Sequence, residues 1–165
     1  MSTQAKVVSI IGVSITLILL TSCRVPLALW VVPGSTADSL VLGFSESRKS
    51  KDKIKPDSIN VFPCDAIKGS KDLNDILSRA ESAVWTAAVP SGVNPLATNR
   101  ITYGRAEFGL QTQRGPQPLT SSGCYFVVAT ARDEGYYPAL AAFNIDKDGK
   151  VMELRGKEYD KLFIK

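Results

Sequence analysis

The chain predicts a mainly β fold, an antiparallel β-sandwich of about seven or eight strands with one short amphipathic helix. Three observations carry this expectation. Short apolar runs of strand-forming residues alternate with Gly, Pro, Asn and Asp clusters along the chain. Only one segment carries the helical period. The 165 residues are 44% hydrophobic and 22% charged, which suits one globular domain with a real core.

The first expected pair is the run from Leu27 to Val32, a turn at Pro33-Gly34-Ser35-Thr36, and the run from Leu40 to Phe44. Both runs are apolar on both faces, as a sandwich core requires. A polar stretch from Ser45 to Ser58 follows. Ile59 to Cys64 resumes a strand, with Pro63 marking an edge or a strand end. Leu73, Ile76, Leu77, Ala80 and Val84 recur at helical spacing and predict one helix over 71–83. Ser70 is its expected N-cap, with Asp72 and Asp75 complementing the helix dipole. Strands are then expected at 85–89, 101–105 and 124–131, with 107–112 pairing nearby. The prolines of Pro90 to Pro95 and of Gly115-Pro116-Gln117-Pro118 mark loops. A closing hairpin runs from Ala139 to Ile145, turns through Asp146-Lys147-Asp148-Gly149-Lys150 and returns at Val151 to Leu154. The tail from Gly156 carries Tyr159, Leu162 and Phe163 and is expected to pack back as a last turn or strand.

There is no histidine in the chain, which removes His-dependent triads, Cys/His dyads, His-ligated zinc and an imidazole base. No cofactor and no metal are expected. A net charge of +4 is too small for a dedicated nucleic-acid binder.

Residues 1–22 read as an address rather than as part of the fold. One base, Lys6, precedes the mostly apolar run Val7 to Leu20, which is shorter than the roughly 20 residues of a membrane span. Leu20-Thr21-Ser22-Cys23 follows. This segment resembles the lipobox of bacterial envelope lipoproteins, a largely uncharacterised group of small proteins. The resemblance implies that Cys23 carries a diacylglyceryl group through its thiol and that the signal is removed before it. It divides the chain into a signal peptide over 1–22 and a lipid-anchored tether over 23–26, and the strand pattern makes 27–165 a sandwich domain of immunoglobulin or transthyretin type. Two or three acyl chains hold a protein durably on a bilayer, whereas one does not. Arg24 occupies the place where Asp would retain such a protein in the inner membrane, so a Gram-negative source implies the outer membrane. The alternative is an uncleaved N-terminal helix with an incidental cysteine.

Export places Cys64 and Cys124 in an oxidising compartment, where an even pair points to a structural disulfide. A redox or metal pair is the alternative, but the chain has no Cys-x-x-Cys, and two thiols without histidine make a poor zinc site.

Chemical motifs are sparse. Asn144 to Gly149 resembles the start of a calcium loop, but the twelfth position, where a bidentate Glu belongs, is Arg155. A hairpin turn is the better reading. Ser50-Lys51-Asp52-Lys53 fits Ser-x-x-Lys by chance, without the accompanying Lys-Thr-Gly. Trp30, Trp85, Tyr103 and Tyr125 read as sheet and core residues before they read as a ligand surface. Arg48, Lys49, Lys51, Lys53 and Lys55 form the densest charge on the chain. They read either as a solvated loop or as a contact for an anionic surface such as phospholipid headgroups, lipopolysaccharide phosphates or an acidic protein.

The expectation is therefore a non-enzymatic binding or assembly module, held on the membrane by its lipid, with an envelope protein or polyanion as partner. An inhibitor of a lysozyme-like hydrolase is a second reading, because Ser122-Gly123-Cys124-Tyr125 resembles the Ser-Gly segment and nearby Tyr of lipoprotein inhibitors. A positive inhibitor fits a basic lysozyme poorly. A carboxylate-based hydrolase is the third.

Overall fold

A computed structural model describes residues 24–133 and 135–163. Residues 1–22, expected to be a signal peptide, and Cys23 lie outside the described residues.

The strands are β1 (Val25–Pro26), β2 (Ala28–Val31), β3 (Val41–Ser45), β4 (Pro56–Pro63), β5 (Trp85–Ala88), β6 (Arg100–Thr102), β7 (Gln111–Arg114), β8 (Cys124–Ala131), β9 (Tyr136–Tyr137), β10 (Ala139–Ile145) and β11 (Val151–Glu153). The helices are α1 (Cys64–Ile67), α2 (Leu73–Ser78) and α3 (Lys157–Asp160), with a 3₁₀ turn at Ala80–Ser82. The fold is mainly β, as expected. Eleven strands are formed among the described residues rather than seven or eight, among them β1 and β9, two-residue strands with no periodicity to announce them.

A six-stranded sheet runs β11-β10-β8-β4-β5-β7, and a three-stranded sheet runs β2-β3-β6. The third is the parallel pair β1-β9, with Val25 opposite Tyr136 and Pro26 opposite Tyr137. Alternation along the strands decides what lies between the two larger sheets. Ile59, Val61, Trp85, Val127, Ala141 and Phe143 from the large sheet share one buried cluster with Leu29, Leu42, Phe44 and Ile101 from the small one. This is the core of the sandwich.

The next residue along each strand faces the other way. Phe62, Phe126, Val128 and Ala142 form a second cluster with Ile67, Ile76 and Ala83, covered by α1 and α2. Tyr159 of α3 and Phe163 pack on Phe126, so the tail returns as a helical turn. Strand β8 is apolar on both faces because it is sandwiched on both, by sheet and by helices.

The predicted hairpin forms between β2 and β3, with Ala28 opposite Ser45 and Val31 opposite Leu42. Pro63 ends β4, which is a central strand and not an edge.

The single helix expected over 71–83 is replaced by α2 and the separate 3₁₀ turn. Ala83 is 1% exposed in the second cluster, and the Val84 amide donates to the Val61 carbonyl at 2.8 Å. The sheet thus claims residues that a third helical turn would have needed. Ser70 is not the cap. Asp72 is, its Oδ1 accepting the Asp75 amide at 2.9 Å. The Ser70 hydroxyl is buried without a partner.

Candidate functional site

Cys64 and Cys124 form a disulfide with Cα atoms 5.3 Å apart. Cys64 opens α1 and Cys124 opens β8, so the bond ties the helical cover to the centre of the large sheet at one end.

The five bases of the run do not form one projecting surface. The Arg48 guanidinium reaches across to the Glu153 carboxylate of β11, which also holds Arg155 at 3.2 Å. Lys55 is half-buried, with Nζ donating to Asn94 Oδ1 at 3.2 Å. Between them Ile54 is buried and exchanges backbone hydrogen bonds with Thr98. Lys49, Lys51 and Lys53 stand exposed and make no ion pair among the described residues. Asp52, the one acid inside the run, accepts from the Ser50 hydroxyl.

The loop that carries these three lysines lies at the end of the sandwich where Arg24 and β1 begin. The Val25 amide donates to the Gly135 carbonyl at 2.7 Å, starting the β1–β9 pair. The Arg24 guanidinium lies over the Tyr137 ring, 5.8 Å from its centroid. Tyr136 donates its hydroxyl to Glu46 Oε1 at 2.9 Å, which brings the start of the basic loop against β9. That bond, then burial, then the charges of Glu46, Asp133 and Asp52 hold the Tyr136 hydroxyl above the usual phenol range. Ser45 Oγ donates to the Asp52 carbonyl at 3.0 Å, and the Arg132 amide to the Lys55 carbonyl at 2.9 Å. The basic loop is thus joined to the segment between β8 and β10 at its two ends, through Glu46 and Lys55, while Ser45 of β3 holds Asp52 between them. In the sequence the basic run and Arg24 are separate features. No local signal marks the pairing that joins them.

The remaining motifs are spent on local structure. Asp146 Oδ1 accepts the amides of Asp148 and Lys150, both at 2.9 Å, and Gly149 sits at φ 78°. This is the hairpin turn between β10 and β11. Among the described residues no set of three His, Cys, Asp or Glu side chains gathers as metal ligands. Trp85 and Tyr125 are core residues, while Trp30 and Tyr103 are half-buried. The Tyr125 hydroxyl accepts the Thr120 amide at 2.8 Å, so the tyrosine of the Ser-Gly segment faces inward. One open cavity of about 220 Å³ lies between Ser70, Leu73, Ile76, Phe126, Leu140 and Phe163. No described helix is long and apolar enough to cross a membrane. No family model, curated protein or solved structure matches the chain.

Proposed function

We propose that this chain is an exported lipoprotein, anchored to the bacterial envelope through Cys23, that acts there as a non-enzymatic binding or assembly module for an envelope protein or polyanion. The observation that carries this reading is the Cys64–Cys124 disulfide, a bond that persists in oxidising compartments and is rare where thiols are kept reduced. It agrees with the signal-like run and the lipobox ahead of it. Strand β1 begins at Val25, so cleavage before Cys23 leaves every described element intact. The polar groups that the motifs singled out are occupied internally: Asp146 by its own turn, Ser50 by Asp52, Tyr125 by Thr120. That use supports a structural module over an enzyme.

The test is Cys23→Ser. The native protein is expected to partition into detergent with a mass showing acyl modification, and the variant to remain an uncleaved precursor. An unmodified Cys23 in membrane-extracted native protein refutes the reading. Cross-linking on intact cells, followed by identification of the captured species, then names the partner.

A further inference from the structure

We infer that the short, strand-paired tether fixes the orientation of the domain, holding its β9 end against anionic phospholipid headgroups. The inference rests on lipidation of Cys23 and adds to it a defined membrane-facing surface.

The tether is short. Leu27 is already in the core at 8% exposure. The four residues from Cys23 to Leu27 span at most about 14 Å when fully extended. Its actual course is not free either, because Val25 is hydrogen-bonded to Gly135 and Arg24 is stacked over Tyr137. A lipid on Cys23 is one residue from that stack, so the bilayer surface must lie beside β9.

What β9 and its neighbours present suits an interface of that kind. Tyr137 is 53% exposed and Val25 39%, an amphipathic ring and a small apolar group at headgroup depth. Arg24, Lys49, Lys51 and Lys53 supply positive charge around them. The acids of the same end are themselves exposed, Glu46 accepting from Tyr136 and Asp52 from Ser50. Asp133 also lies there and Glu134 follows it in the sequence, so the four acids balance these four bases and a free domain would bind a membrane weakly. The anchor changes this by supplying a high effective concentration within a screening length of about 8–10 Å. Orientation, rather than affinity, is the property these charges control.

The test uses the lipidated full-length product reconstituted into vesicles of phosphatidylglycerol and phosphatidylethanolamine. Lysines are acetylated briefly and read by peptide mass spectrometry. Lys147, in the β10–β11 turn at the opposite end, is the internal reference. Lys49, Lys51 and Lys53 are expected to label about fivefold less, relative to Lys147, on vesicles than in detergent. A flexible Gly/Ser linker of about 20 residues inserted between Arg24 and Val25 should restore their labelling while leaving the protein membrane-bound. Equal labelling at both ends in lipidated, vesicle-bound protein overturns the orientation and leaves the anchor standing. Equal protection on phosphatidylcholine vesicles overturns the role of headgroup charge. Protein that carries no lipid overturns the anchor and this inference together.

Discussion

Trp30 lies across the backbone of Gly43, its register partner in the β2–β3 hairpin, so closely that a Cβ on Gly43 would overlap the indole ring. The pair faces away from the core filled by Leu42 and Phe44 on the same strand. A large ring and a bare backbone thus cover the outer side of a short three-stranded sheet, where an aromatic over a glycine replaces the missing cross-strand contact.

Gly43→Ala is therefore expected to destabilise the domain by about 1–3 kcal/mol, by pushing the indole off the sheet. Urea denaturation checks this. Trp30→Ala in the Gly43→Ala background should cost less than Trp30→Ala alone, because the contact is already lost.

Removing the disulfide should cost more. Cys64 and Cys124 are separated by 60 residues, for which the chain-entropy model gives about 4 kcal/mol. The double variant Cys64→Ala/Cys124→Ala should melt well below the native protein under oxidising conditions. In reductant the two should melt close together. Equal melting without reductant would show that the bond contributes nothing.

The N-terminus of α2 separates two neighbouring positions. Asp72→Ala removes the side chain that caps Asp75 and should cost about 1 kcal/mol. Ser70→Ala removes a buried hydroxyl without a partner and should be neutral or mildly stabilising. Chemical denaturation of the two variants in parallel checks that Asp72, and not Ser70, caps α2.

Tyr103 gives the fold an alkaline limit. Burial, and after it the charge of a neighbouring Tyr125 phenolate, raise its pKa well above the ordinary 10.0. Its hydroxyl donates to the Gln117 carbonyl at 2.7 Å. The unfolded chain releases this proton near pH 10 and the folded one holds it. The resulting stability is complete below pH 10 and declines as pH rises beyond it. Tyr103→Phe should flatten part of that decline. It should also cost about 1 kcal/mol at neutral pH for the lost hydrogen bond. Stability curves at pH 8 to 11.5, with tyrosinate absorbance followed in parallel, read both effects.

Several elements were legible because their causes are local. The β2–β3 hairpin follows from two apolar runs around Pro33-Gly34, and the β10–β11 hairpin from the Asp146 to Gly149 turn chemistry. Strand β8 follows from eight residues that no solvated surface would carry. The disulfide follows from the even pair Cys64 and Cys124, which the expected export would place in an oxidising compartment. The helix over 71–83 was misjudged because its period was real but its last residues had a second claimant. Val84 could bond within a helix or to Val61 of β4, and only the assembled sheet presents Val61.

The candidate site depended on tertiary structure almost entirely. Arg48 is neutralised by a carboxylate 105 residues away, and no local pattern announces that partner. The pairing of Val25–Pro26 with Tyr136–Tyr137 involves strands too short to carry a period. Composition determined the solvated charges, the core and the absence of imidazole chemistry. Which three lysines remain exposed, and that their loop lies at the end where Arg24 and β1 begin, was decided by long-range packing. Ion pairs and strand edges are chosen by whatever the fold brings into reach, and proximity of that kind is a property of the folded chain alone.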